Sequence, residues 1–353
     1  MRQQYFSLEI RGDDLIYHGV FNYSKSSITM SAILDRIRNF FGQNDSSIGY
    51  IQAKKLAGDK NPNVRKELAE RRDMKPEILY FLADDPDPNV RREIAKNRAT
   101  PRQADAVLAN DTDDEVRSCL AEKIARLTPQ LNSIEREDIR IMTVEILERL
   151  ARDQVPKIRQ ILADTLKDVA DAPPGVIRKL AEDDELYVSV PVLENSPVLT
   201  DDDLLQLISS LPVSEKLGAI SRRPNVSADI SDAIAATNSK EAITNLLKND
   251  QAQIREETLD QLIDQSRENT MWQKPLVGRP RLSSSAAIRL AEFVADKYLH
   301  ILEKRRDLDS STLMRVKKEV HRRIESIAPE ISGEAEAEEQ IDDERNFVKK
   351  ANS

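Results

Sequence analysis

Asp85-Pro-Asp-Pro-Asn-Val-Arg91 decides the fold, because the same seven-residue frame stands 26 positions before it and 26 positions after it. Upstream the frame is Asp59-Lys-Asn-Pro-Asn-Val-Arg65, and downstream it is Asp111-Thr-Asp-Asp-Glu-Val-Arg117. Each frame runs on into an apolar-alanine pair: Leu68-Ala69, Ile94-Ala95 and Leu120-Ala121. Between frames, Pro76 to Ala83 and Pro101 to Ala109 set apolar residues at helical spacing between turn signals. Each period therefore reads as two short helices. Asn61-Pro62, Asp87-Pro88 and Thr100-Pro101 each offer a capping side chain followed by proline at the first helical position, where a missing N–H costs nothing. Helices of roughly eight to ten residues cannot bury an apolar stripe alone, so successive pairs must stack.

The pattern continues with insertions as Asp153-Gln-Val-Pro-Lys-Ile-Arg159, as Asp183-Asp-Glu-Leu-Tyr-Val-Ser189 with serine in the arginine place, and as Asp250-Gln-Ala-Gln-Ile-Arg255, one residue shorter. Thr200-Asp-Asp-Asp203 ahead of Leu204 and Leu205 reads as a capped helix, and Ser239 to Leu247 as another. Six units are recognisable, with one or two degenerate ones expected between residues 190 and 240.

Composition agrees with an all-α chain. Of 353 residues only nine are glycine, too few for the turns and left-handed positions that barrels, sandwiches and nucleotide-binding sheets use repeatedly. The single cysteine, Cys119, excludes a disulfide framework within the chain and any CxxC metal motif, which points to a reducing compartment, the cytoplasm by default. No apolar run is long enough to span a membrane, and the N-terminus lacks the order of a signal peptide. The net charge of −9 gives no general steering toward nucleic acid.

An arginine in the first turn of a helix faces the positive end of the macrodipole and needs compensation. The repeating aspartate six residues earlier supplies it. Asp59, Arg65, Asp85, Arg91, Asp111, Arg117, Asp153 and Arg159 are expected to form a structural ladder, each arginine pairing with an aspartate of its own or the adjacent repeat. The competing reading lines the arginines up around an anionic ligand such as a phosphate; since every arginine arrives with an aspartate, the ladder is preferred.

The Asp-x5-Arg spacing, with Val before Arg and paired helices, resembles the HEAT-like repeat, close to its short leucine-rich-variant form. The whole chain also resembles an uncharacterised alphaproteobacterial family carrying a domain of unknown function. The repeat resemblance implies an α-solenoid of short helical pairs acting as a non-catalytic scaffold or regulatory protein that binds a protein or peptide. The alternative it leaves open is a repeat enzyme or nucleic-acid-binding protein of DNA-base or bilin-handling type.

The expected organisation is a leader and capping helix at 1–47, repeats over 48–270, a linker at 271–285, a helical hairpin at 286–328 and a disordered acidic tail at 329–353. Residues 7–11 and 15–21 alternate enough for a hairpin, and 31–41 form an amphipathic helix. Ile288, Ala291, Ala295, Tyr298 and Leu302 are spaced as heptads, and Leu313, Val316, Val320, Ile324 and Ile327 follow, so these helices either pack on each other or offer a homodimer seam.

Chemistry is sparse. His18, His300 and His321 lie far apart with no metal spacing, and no phosphate-loop, dinucleotide or nucleophile-elbow motif occurs. No catalytic residue, metal or cofactor is assigned. Partner contacts are expected from Glu67, Arg71, Glu93, Lys96 and Asn97, which recur at equivalent repeat offsets, and from Trp272, whose other reading is a plug at the end of the array. Nucleic acid is disfavoured as a partner, since one tryptophan in an acidic chain makes a poor stacking platform. The basic residues between Lys304 and Arg323, followed by an acidic stretch from Glu330, suggest an intramolecular electrostatic clasp, against the plainer reading of a solubilising tail.

Overall fold

The structure, a computed structural model, describes residues 7–11, 14–18, 49–129, 137–210, 213–280, 282–294 and 296–323. Apart from one hairpin it is helical among these residues. Strands β1 (Ser7–Arg11) and β2 (Asp14–His18) pair antiparallel, with Arg11 opposite Asp14 across a two-residue connection. The expected helix at 31–41 and the acidic segment at 329–353 lie outside the described residues.

The chain divides into two compact units, Met1–Val192 with Ser196–Leu199, and Leu193–Asn195 with Thr200–Ser353. In the first, helices alternate between two rows. One row holds α1 (Tyr50–Ala57), α3 (Pro76–Leu82), α5 (Arg102–Leu108), α7 (Glu137–Leu150) and α9 (Pro174–Ala181). The other holds α2 (Pro62–Glu70), α4 (Pro88–Lys96), α6 (Asp114–Leu127) and α8 (Pro156–Leu166), each packed on the next. Helix α10 (Leu186–Asn195), which contains Pro191, falls across the division, its residues Leu193–Asn195 counting with the second unit.

The caps explain where the second-row helices begin. Asn61 and Asp87 accept the backbone N–H two residues on, with proline at the first helical position, and Asp113 accepts from Val116. Thr100-Pro101 differs by one place: Pro101 is itself the N-cap, and the Thr100 hydroxyl instead donates to the Ile94 carbonyl at 2.8 Å. The apolar-alanine pairs Leu68-Ala69, Ile94-Ala95, Leu120-Ala121 and Leu162-Ala163 are all buried at the contacts between second-row helices. Alanine lets backbones approach while the larger partner fills the gap, and each buried Leu or Ile contributes about 1.5–3 kcal/mol.

The second unit repeats the plan. One row holds α11 (Asp201–Ser210), α13 (Ala228–Ala236), α15 (Glu256–Gln265) and α17 (Ser284–Ala291); the other holds α12 (Ser214–Ser221), α14 (Lys240–Lys248), α16 (Gln273–Gly278) and α18 (Asp296–Glu303). A last helix, α19, covers residues 310–323. Thr200 and Asp203 cap α11 reciprocally, each side chain accepting the other's backbone N–H at 3.2 and 3.0 Å. Asn238, at φ 56°, sits just past the end of α13 in the left-handed position that commonly closes a helix.

Two expectations are corrected. Residues 271–285 are not a linker: Trp272, Gln273, Leu276, Val277 and Arg279 are buried, and α16 packs against α14, α17 and α18. The hairpin expected at 286–328 is not two helices among the described residues: its first run, Ile288 to Leu302, breaks at residues 292–294 into α17 and α18, with α19 following, and Ala291, Leu302, Val316 and Val320 are buried. Over two or three turns, heptad spacing and the stripe of a short buried helix are the same pattern.

Candidate functional site

The repeated arginines of the first unit are held identically. Arg65 donates Nε and Nη2 to the carboxylate of Asp85 in the following layer at 2.6 and 2.8 Å, and Nη1 to the backbone carbonyl of Asp59 in its own frame at 2.7 Å. Arg91 does the same with Asp111 and the Asp85 carbonyl at 2.6, 2.8 and 2.7 Å. Arg117 uses Asp153 and the Asp111 carbonyl, and Arg159 uses Asp183 and the Asp153 carbonyl. Each of these aspartates also accepts the backbone N–H two residues on, at 2.9 to 3.0 Å. Hydrogen bonding to the next-layer aspartate raises all four guanidinium pKa values, against the opposing effect of burial. A fork engaged on both edges has no face left for a phosphate. Arg255 is not a rung of this ladder; it stands at the start of α15 and pairs with Asp229 and Asp232 on α13 in the same row.

A second series of bonds, which the sequence reading missed, closes the opposite ends of the same helices. Asn97 donates Nδ2 to the Ala69 and Arg71 carbonyls at 2.8 and 2.7 Å. Lys123 donates to the Ile94 and Asn97 carbonyls at 3.3 and 3.2 Å. In the second unit Arg223 reaches the Leu193 carbonyl, Asn249 those of Ser221 and Arg223, Arg279 those of Asn249 and Ala252, and Arg305 those of Val277 and Arg279. Helix C-termini carry carbonyls without intrahelical partners and a partial negative charge, so a donor from the next layer satisfies both. The spacing of 26 from Arg223 to Asn249 and from Arg279 to Arg305 was the available signal. Burial lowers the Arg223 and Arg279 pKa values, since their partners are neutral carbonyls rather than carboxylates.

Lys123 also pairs with Asp105 at 2.5 Å, and Arg102 reaches the other carboxylate oxygen at 2.5 Å. Asp105 is 0% and Lys123 6% exposed. Burial pushes the lysine ammonium below its ordinary range while Asp105 opposes it. This cluster is a cross-brace between α5 and α6.

The residues expected to meet a partner separate into two groups. Asn97 is buried as a carbonyl cap, and Trp272 is 3% exposed with Nε1 donating to Thr244 Oγ1 and the Lys240 carbonyl at 3.1 and 3.3 Å, so neither presents a side chain to a partner. Trp272 does not plug an end either, because α17, α18 and α19 follow it. Glu67 is exposed, Lys96 pairs with Glu93 at 3.0 Å, and Arg71 pairs with Asp73 at 2.6 Å. Cys119 follows Glu67 and Glu93 at the same offset and is half-buried, which raises its thiol pKa against the influence of Lys96. No group of three His, Cys, Asp or Glu side chains could hold a metal among the described residues.

One concave feature lies wholly within the second unit. An open groove of about 750 Å³ runs between residues 277–280, at the end of α16, and residues 300–307, at the end of α18. Its accessible wall is apolar at Pro280 and Ile301 and basic at Lys304 and Arg306. Arg279 and Arg305 also line it but are spent on carbonyls, and Arg305 in addition on Asp307, the one carboxylate in the lining. Lys304, Arg306 and His300 are exposed, and neither Lys304 nor Arg306 has an ion-pair partner among the described residues. Apolar walls beside uncommitted cations suit an acidic peptide with small apolar side chains.

These features define an α-helical repeat array braced from layer to layer. Residues 188–350 match a family described as "Uncharacterised protein conserved in bacteria (DUF2336)". The chain is also similar to crystal structures of engineered proteins. One is 19% identical, the match covering 79% of this chain and 96% of that chain with a TM-score of 0.22. Another is 16% identical over 84% of this chain and 98% of that chain, with a TM-score of 0.27, and a third 15% identical over 81% and 98%, with a TM-score of 0.18. No curated protein matches the sequence. No described helix is long and apolar enough to cross a membrane.

Proposed function

We propose that the protein is a non-catalytic scaffold, working in the cytoplasm, that docks a protein or peptide partner on its stacked helices. The observation that carries this reading is the groove at 277–280 and 300–307, where Lys304 and Arg306 stand exposed and uncommitted beside apolar walls. Elsewhere the charged groups nearest the layers are occupied by bonds between them, as in Arg91 with Asp111 and Lys123 with Asp105. Glu67, Arg71, Glu93 and Lys96 form a secondary contact face in this reading, with their charges partly neutralised by pairs on the same surface. The partner favoured by the groove is an acidic segment.

The test is fluorescence polarisation of a labelled peptide of alternating Glu and Ala, read at low salt. Reversing the groove charge with Lys304→Glu and Arg306→Glu is expected to weaken binding on the order of tenfold, since each exposed charge contributes up to about 1 kcal/mol. Equal affinity for both proteins, with unchanged far-UV circular dichroism, rejects the groove as the docking site.

A further inference from the structure

We infer that the groove is occupied by the chain's own acidic segment at residues 330–344, which competes with the partner for it; this rests on the reading of the groove as an acidic-peptide site. Two features of the sequence fit each other. Between Lys304 and Arg323 eight cations stand against three acids, a local balance of +5. Residues 329–353 carry Glu330, Glu334, Glu336, Glu338, Glu339, Asp342, Asp343 and Glu344 against three cations, a balance of −5. Alternation of Glu334, Glu336 and Glu338 with Ala335 and Ala337 gives the segment the small apolar and acidic side chains that the walls accept.

The geometry supplies a short tether. Arg323 ends the described part of α19 and donates Nη1 to the Ala291 and Val294 carbonyls at 3.2 and 2.7 Å, which fixes the chain beside the layer whose α18 forms the groove wall. The ten residues from 324 to 333 reach about 30 Å when extended. A tether of that length holds its segment at an effective concentration in the millimolar range, so even a weak charge-driven contact is populated. Interactions between exposed charges shrink as the screening length falls from about 10 Å at 0.1 M salt to about 3 Å at 1 M, so the contact loosens with salt.

Zero-length carbodiimide coupling of the full-length protein at low salt tests this directly, because it joins an amine only to a carboxylate it touches. Peptide mapping is expected to find Lys304 joined to an acid of 334–344 in monomer-sized protein, with the product lost at 1 M salt. Absence of that product, or its presence only in dimer-sized species, overturns the inference. A second arm uses the full chain with the eight acids changed to Gln or Asn. Its affinity for the Glu-Ala probe is expected to exceed the native protein's by tenfold or more at low salt, with the gain abolished by K304E and R306E. If native and neutralised chains bind equally and charge reversal weakens both, self-occupancy fails while the docking reading stands. If charge reversal weakens neither, the docking reading fails as well.

Discussion

Arg91 donates two hydrogen bonds to Asp111 in the following layer, one to the Asp85 carbonyl in its own frame and a longer one to the Pro86 carbonyl, with the Asp111 side chain 6% exposed. Truncating one member of such a pair leaves the other buried without its counter-charge, and that asymmetry sets the size of the effect more than the attraction itself does. Arg91→Ala is therefore expected to lower the unfolding free energy by about 3 kcal/mol in urea titrations, and Asp111→Ala by a similar amount. The double variant should lose less than the sum, with a coupling of about 1 kcal/mol or more. An unchanged midpoint for Arg91→Ala, together with loss of an anion-binding property, would sink the structural assignment of the ladder. Arg91→Lys separates the roles further, since an ammonium keeps the charge but cannot span both carboxylate oxygens and the carbonyl.

At the level of the helix, the caps at the two ends differ in how plainly they are written. The N-terminal ends announce themselves, because Asp, Asn and Pro serve local geometry and recur in a fixed frame, and this is why the helix pairs of residues 59–121 could be read directly. The C-terminal ends are closed by whichever donor reaches back from the next layer, asparagine at 97 and 249, lysine at 123, arginine at 223, 279 and 305. Only the position is kept, not the residue type, so no motif shows. The same substitution of chemistry hid the layers beyond residue 250, where the Asp-Arg frame gives way to pairs such as Arg289 with Asp260 and a linker-like Pro-Gly composition folds as α16. The groove was illegible for another reason: its walls come from two separate segments, 277–280 and 300–307, and exposure of Lys304 and Arg306 depends on which neighbouring arginines turn inward. Asn249→Ala removes two bonds, to the Ser221 carbonyl at the end of α12 and the Arg223 carbonyl just past it, and is expected to cost about 1–3 kcal/mol, with hydrogen exchange quickening first at the end of α12. Unaltered stability and exchange would show that water replaces this cap without loss.

For the molecule as a whole, stacked layers touch mainly their neighbours, so stability adds up locally and need not be lost all at once. Trp272 is the sole tryptophan and lies in the second unit, whereas far-UV circular dichroism reports helices of both. Urea unfolding followed by tryptophan emission and by dichroism is expected to give midpoints that do not coincide. Superimposable curves would mean that the array melts as a single cooperative body.

Both series of inter-layer bonds run in the same sense along the polypeptide. The later layer brings the carboxylate that an earlier arginine lacks, and the later layer brings the donor that earlier carbonyls lack. During synthesis, a newly emerged layer of the first unit thus waits with a bare guanidinium and open carbonyls until roughly one repeat more has left the ribosome. Growth is vectorial as a consequence: stopping early always strands groups at the youngest edge, whereas the oldest edge depends on nothing still to be made.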